Sequence, residues 1–415
     1  MRYFHYWLAI LLMGVALPAA IAKEADASGA IISATQPIDV FYFSDRQPVA
    51  GENGAIQYGA DRAWSLAFGS VAVFPQSGAE PSPGSPKEIV RFPETPYKVE
   101  KVKGGIRRDP AALAAHRQAA QDIERTLQAK IASTSSKEVV LYVHGFNNSF
   151  DDAVKSAARM CGDLGPDRFT CIVFSWPAGG EKGAFFGYNF DRESGEFSVT
   201  DLKKAVRFIA RTPGLKKIHF IAHSRGADIL TSVIQQLNGE TYAVGKSFMS
   251  EYKIGEAVLA APDIDIDVAV GKFAATISDP DTPRIGKADY GVVYNPVRIH
   301  LTVYATAGDA ALDMSRSLYG NTRLGLVDAS ASDDGVTLVS PLKDVVDLIS
   351  VEQSGADFFG HNYFLSSPNV RGDIVALIRD KKAAGAPGRE LQEIRRPFWR
   401  LPLNAYSTGP ARLNP

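Results

Sequence analysis

From Lys137 onward the sequence alternates short apolar runs with amphipathic stretches, the rhythm that a parallel sheet with helical crossovers requires. The runs are "EVVLYVHG" (138–145), "CIVFSWP" (171–177), "KIHFIA" (217–222), "EAVLAAPD" (256–263), "RIHLTVYA" (298–305) and "VVDLISVE" (345–352). Between them "SFDDAVKSAARMCGDL" (149–164), "DLKKAVRFIART" (201–212) and "GADILTSVIQQL" (226–237) carry apolar residues at helical spacing. Ser149 reads as the N-cap of the first of these helices, with Asp152 at the third helical position. Strand followed by helix is thus the repeating unit, and the predicted class is α/β with a mostly parallel central sheet and helices on both faces.

Upstream, "IDVFYFSDR" (38–46) and "WSLAFGSVAVFP" (64–75) read as strands that extend the sheet, with a polar loop between them. Residues 76–88 are a Pro/Ser/Gly turn region, and 110–131 form a helix with Leu113, His116, Ala120, Ile123 and Leu127 on one stripe. The predicted organisation is a leader at 1–22, N-terminal strands with a linker and helix at 23–136, a core at 137–379 and a tail at 380–415. Residues 179–200 read as a long Gly/aromatic connection overhanging the sheet, and Phe185, Phe186, Tyr188 and Phe190 in it as an apolar lid or as packing. The tail segment "IRRPFWRLPL" (394–403) reads as a strap across the surface.

The leader carries Arg2, an apolar stretch from Tyr6 to Leu17, and Ala20-Ile21-Ala22, the form of a signal peptide cleaved near Ala22. The apolar stretch is shorter than the roughly 20 residues that span a bilayer. The expected location is therefore periplasmic or extracellular, with no stable membrane span after processing. Cys161 and Cys171 are the only cysteines. They admit two readings, one bridge between neighbouring elements of a βαβ unit or two buried thiols. With 45 Lys and Arg against 46 Asp and Glu, the net charge is −1, which leaves no global attraction for nucleic acid.

One strand-to-helix junction reads "IAHSRGADIL". A serine on such a turn is lifted clear of the sheet, next to helix N–H groups without partners, provided the residues two before and two after it are small. Ala222 and Gly226 fill those places around Ser224. By itself the motif suits a helix N-cap equally well. A second junction, "VLYVHGFNNSF", puts His144-Gly145-Phe146-Asn147 where such folds supply an oxyanion donor. The Phe146 N–H is the expected donor, with Asn147 second, beside the Arg225 N–H.

Acid and base follow the serine in chain order, from the carboxyl ends of later strands. His5, His116, His144, His219 and His223 precede Ser224, and His300 begins a strand at the wrong edge, which leaves His361 in "ADFFGHNYFLSS". Two carboxylates compete to orient it: Asp309 in "YATAGDAALDMS", favoured because its strand is nearer in sequence, and Asp263 in "AAPDIDID". Asp263 otherwise reads as a helix cap or pocket wall, and Asp265, Asp267 and Asp313 as solvated.

With those stretches assembled, and with "VFYFSDR", "FSWPAGG" and "GHNYFLSSPNV", the chain resembles the α/β-hydrolase superfamily over roughly residues 38–378, and within it a bacterial group of α/β-hydrolases of unknown function, esterase- or lipase-like. The resemblance implies Ser224 as nucleophile, Asp309 as orienting acid and His361 as base. Ala222 and Arg225 depart from the usual pattern, Arg225 reading as an ion-pair partner or a binder of an anionic acyl group. The expected function is an exported serine hydrolase that cleaves a carboxylic ester or thioester of a small or lipid-like acyl substrate, without metal or cofactor. A non-catalytic envelope binding module and an amidase or peptidase using the same side chains are the alternatives.

Overall fold

A computed structural model describes residues 36–51, 54–76, 80–180, 183–278, 299–327, 345–352 and 360–406, with the side chains of 183–186 and 274–278 set aside. The predicted leader, Phe185 and Phe186 lie outside this description.

The N-terminal region supplies β1 (Ile38–Ala50), β2 (Ile56–Phe74), β3 (Ser82–Pro83), β4 (Lys87–Arg91), the hairpin β5 (Val99–Val102) with β6 (Gly105–Arg108), and α1 (Pro110–Ser133). The core then runs β7 (Glu138–Val143), α2 (Phe150–Leu164), β8 (Phe169–Ser175), α3 (Gly183–Arg211), β9 (Lys217–His223), α4 (Arg225–Ala243), α5 (Phe248–Glu251) and β10 (Ile254–Ala260). It continues through α6 (Ile266–Ser278), β11 (Leu301–Ala305), α7 (Ala310–Tyr319), β12 (Val346–Val351), α8 (Tyr363–Ser366), α9 (Pro368–Ile378), β13 (Gln392–Arg395) and β14 (Phe398–Leu401). Among the described residues, all of these strands except β5 and β6, which pair with each other, form a 12-stranded sheet in the order β13-β14-β12-β11-β10-β9-β7-β8-β1-β2-β3, with β4 also on β2. From β14 across to β1 every pairing is parallel, while β13 and β2–β4 are antiparallel additions at the edges.

The two-residue period of the strands divides the core between two faces. In β7, Val139, Leu141 and Val143 pack with α1, α3 and α4, whereas Val140 and Tyr142 pack with α2 and α9. Burial on both sides is why these strands read as continuous apolar runs and not as alternating ones. Around α2 the local signals act as expected: Ser149 and Asp152 form a reciprocal capping box, and Gly165, at φ 100°, ends the helix. Cys161 in α2 and Cys171 in β8 are joined by a disulfide, with Cα atoms 6.0 Å apart, so of the two sequence readings the bridge is the one present.

Two segments differ from expectation. The predicted connection at 179–200 is mostly helix, because α3 starts at Gly183 and runs without a break into the segment expected from 201 onward. Its buried positions there include Asp191, Ser194 and Ser198, a small polar face that hides the apolar period. Gly195 lies against α4, where an added Cβ would sit 3.2 Å from Ile229, so this glycine serves close helix packing and not a loop. The predicted surface strap is instead sheet: β14 pairs in parallel with β12, and Phe398 and Trp399 are core residues. Trp399 Nε1 donates to Asp347 at 2.7 Å, and Arg389 grips Asp373 through two nitrogens at 3.0 and 2.9 Å. The polar loop expected between the first two strands is shorter than predicted, because both strands run on toward each other as a hairpin. No described helix is long and apolar enough to cross a membrane.

Candidate active site

Ser224 sits between the last residue of β9 and the first of α4, in N-cap position, and its hydroxyl makes no capping bond. Its backbone is at φ 51°, ψ −122°, where an Ncap residue would be extended. Such a conformation costs a non-glycine residue on the order of 1–3 kcal/mol, so the surroundings must impose it. They do so through main-chain bonds: the Ser224 N–H donates to Ala260 O at 3.0 Å, and Ser224 O accepts from Ala227 N at 3.1 Å and Asp263 N at 3.1 Å. Gly226 is required sterically, since a Cβ there would lie 2.3 Å from His144 O and 2.6 Å from Val143 O. Ala222 has no such conflict; its methyl group is part of the core beneath the turn.

Asp309 follows β11 and is wholly buried. One carboxylate oxygen accepts from Leu312 N at 3.0 Å as the N-cap of α7, and the other lies 2.7 Å from His361 Nδ1. That contact places the His361 proton on Nδ1 and leaves Nε2 as a lone-pair acceptor. His361 lies between β12 and α8, and its ring centroid is 4.8 Å from that of His223, the residue before Ser224. The structure therefore brings His361 and Asp309 together beside the serine turn. Asp263 is turned elsewhere: it accepts from Tyr188 Oη at 2.5 Å and Ser315 Oγ at 2.8 Å, with Arg323 Nε at 3.4 Å. Of its two sequence roles, pocket wall fits and helix cap does not, because the main-chain N–H groups at the start of α6 go to Asp265. Asp265 is accordingly a capping residue and not merely a solvated one.

The loop 144–149 lies directly over the turn, so close that a Cβ on Gly145 would meet Ser224 Cβ at 2.8 Å. Phe146 N–H makes no main-chain bond among the described residues, and Arg225, as the first residue of α4, presents an N–H without a helical partner. Asn147, the second expected donor, has its N–H committed elsewhere, donating to Asp191 Oδ2 at 2.8 Å. That acid, 44 residues away in sequence, also accepts from Gly179 N at 3.3 Å, and it pins the loop onto α3.

The same loop is held from below by residues that sequence reasoning passed over. Arg46 is fully buried and donates to Ser175 Oγ (2.9 Å), Gly59 O (3.0 Å), Ala178 O (2.8 Å) and Asn148 O (2.6 Å). Burial drives its pKa down to about 10. His144 is stacked on Trp176, its Nδ1–H donates to Gly145 O at 2.9 Å, and its Nε2 accepts from Trp176 N at 3.1 Å. Burial, then the Arg46 charge, holds His144 well below the ordinary histidine value, so it is a neutral, fixed strut. In the sequence these residues fall in "VFYFSDR", "HGFN" and "FSWPAGG", but nothing in those stretches indicates that Arg46 and His144 meet beneath the loop.

Arg225 forms a buried ion pair with Asp228 at 2.8 Å, and Asp228 is shared with Lys272 at 2.5 Å. Burial disfavours its charge, but Asp228, Tyr188 and Asp263 outweigh that and raise its pKa above the ordinary value. Of its two sequence readings, the ion pair is the one present, buried within the wall. Tyr188, on α3, packs its ring 5.5 Å from that of Phe146 and 5.3 Å from that of Tyr319, forming an aromatic side to the site. Among the described residues, no group of three or more His, Cys, Asp and Glu side chains is placed to hold a metal ion.

Residues 119–381, more than half of the chain, match the family model described as α/β hydrolase of unknown function (DUF900). No curated protein matches. Among solved structures, the chain is similar to a Pyrobaculum calidifontis esterase in its monoclinic form, at 13% identity and a TM-score of 0.31, over 64% of this chain and 92% of that one. It is also similar to DphMB1 (13%, TM-score 0.29, over 59% and 77%). A third is ESTFA in an iron-lacking apo form (13%, TM-score 0.27, over 59% and 75%).

Proposed function

The chain belongs to this α/β-hydrolase family, and from that starting point we propose that it is an exported serine hydrolase that cleaves a carboxylic ester or thioester through an acyl-enzyme. The observation that carries the reading is the pairing, beside one turn, of a strained serine whose hydroxyl caps nothing with a histidine whose Nδ1 is held by a buried carboxylate at 2.7 Å. Ser224 Oγ attacks the acyl carbonyl carbon while His361 Nε2 takes its proton. Asp309 stabilises the imidazolium that forms, and the N–H groups of Arg225 and Phe146 receive the oxyanion, each worth on the order of 3 kcal/mol. Collapse of the tetrahedral intermediate expels the alcohol or thiol, which takes the proton from His361. Water, activated by the same Nε2, then releases the acid and restores the serine. The disulfide supports export, since such bridges persist in oxidising compartments.

A fluorophosphonate probe and a series of acyl esters test the reading. The wild-type protein should be labelled and should turn over at least one ester, and Ser224→Ala should do neither. An unlabelled wild type, or labelling that survives Ser224→Ala, overturns it. Faster cleavage of a matching amide than of the ester would move the substrate class to amides.

A further inference from the structure

His223 precedes the candidate nucleophile, is buried, and has no part in the steps above. Its Nε2 lies 3.3 Å from His361 O, and since a carbonyl only accepts, the proton is on Nε2. One face of the ring stacks on Phe364 of α8, with centroids 4.4 Å apart and planes 27° from parallel, and the ring centroid is 4.8 Å from that of His361. On the other side Nδ1 faces Gly145, where an added Cβ would be 2.9 Å away. One imidazole thus touches the loop of the oxyanion donor, joins the serine turn by its own backbone, and donates to the backbone of the base.

We propose that His223 is a positioning residue for this reaction: it sets the height and tilt of the His361 ring over Ser224 by holding the His361 carbonyl and by filling the space between Gly145 and Phe364. The inference rests on the serine-hydrolase reading. A neutral ring is what the place requires, because a cation 4.8 Å from the His361 ring would oppose the imidazolium formed in each half-reaction. Burial holds His223 well below the ordinary histidine value, consistent with one fixed neutral tautomer. Asp309 sets which nitrogen of His361 is the base, and His223 sets where that nitrogen is.

The test compares His223→Phe, which keeps a flat ring but no donor, with His223→Gln, whose amide can still donate to the His361 carbonyl. With an ester that wild type turns over, the Phe variant should lose about 10–100-fold in kcat with KM within about threefold, the scale of an ångström-level misplacement. The Gln variant should recover at least about a third of the wild-type kcat at equal folded fraction. A Phe variant at the wild-type kcat, or a Gln variant no better than Phe, overturns the proposal while leaving Ser224 labelling, and so the hydrolase reading, intact. Nitrogen-15 NMR of folded Ser224→Ala supplies a readout that needs neither activity nor a His223 variant: an Nε2–H tautomer at His223 is expected, and an Nδ1–H tautomer overturns the assignment.

Discussion

Gly226→Ala is the sharpest probe of how the serine turn is built. The new methyl carbon would stand 2.3 Å from His144 O, 2.6 Å from Val143 O and 3.0 Å from Val143 C, where real Cβ atoms essentially never come within 3.0 Å. The shortfall is about 0.7 Å, and all three neighbours are main chain, so no rotamer change relieves it. The start of α4 must therefore back away from the end of β7. Overpacking of this kind costs about 1–3 kcal/mol, and rigid neighbours put this site near the upper figure. The same displacement separates the Arg225 N–H from the Phe146 N–H by a comparable distance, enough to remove on the order of 100-fold in kcat. Thermal unfolding should show a midpoint lower by several degrees, and fluorophosphonate labelling should slow in proportion to kcat. Ala222→Gly, which restores the commoner form of the motif, is the control: a loss of about 1–2 kcal/mol from added chain entropy and the deleted core methyl, and little change in kcat. A Gly226→Ala protein with wild-type midpoint and labelling rate would refute the steric reasoning outright.

The carboxylate assignment predicts that Asp309→Asn lowers kcat by about 10³–10⁴-fold through the wrong His361 tautomer, whereas Asp263→Asn costs less than about tenfold; the reverse order in steady-state assays would exchange their roles. Reducing the Cys161–Cys171 bridge, or replacing both cysteines with serine, should cost about 3 kcal/mol in denaturant unfolding, from the ten-residue separation it closes. Asp45 is wholly buried, and burial together with Asp201 raises its pKa well above the ordinary value against the smaller opposing effect of Ser198. The folded chain thus holds that proton more tightly than the unfolded chain, so the contribution is full below the unfolded-state value near about 4 and fades as pH rises through the folded one. Asp45→Asn should therefore gain stability relative to wild type as pH rises above the unfolded-state value near about 4, and stability curves that stay parallel across neutral pH would refute it.

The parts of the fold legible in the sequence are those whose physics is local. β7, β8 and β9 are buried on both faces, so they spell themselves as apolar runs, and α2 is announced by its capping box. The opening of α3 is not legible, because its buried positions include Asp191, Ser194, Gly195 and Ser198, which resemble a loop until Asn147 and Ile229 are seen against them. At the site, chain order together with strand position singles out His361 and favours Asp309 over Asp263 without closing the choice. What it could not reveal is the allocation of hydrogen bonds: that Asp191 consumes the Asn147 N–H, or that Arg46 carries the loop beneath, depends on contacts between residues far apart in the chain.

Asp263 shows how that allocation works. A carboxylate can orient a base only if an oxygen is left for it, and both Asp263 oxygens are engaged by Tyr188, Ser315 and Arg323. Its backbone, however, donates to Ser224 O, one of the bonds that hold the serine at φ 51°. Fixing the Asp263 side chain in the wall thus fixes the N–H that clamps the turn, and Arg225 Nη1, 3.4 Å from Asp263 O, braces the next peptide of the same residue from the helix side. The strain at Ser224, on the order of 1–3 kcal/mol, persists because these contacts over-determine its backbone. Loss of the Asp263 side-chain ties should therefore act on the serine turn and not on the base. Tyr188→Phe, which removes one tie and leaves the ring in place, is accordingly expected to lower kcat modestly while leaving the pH at which kcat/KM is half-maximal unchanged. A shift of that midpoint would show that Asp263 is coupled to His361 after all.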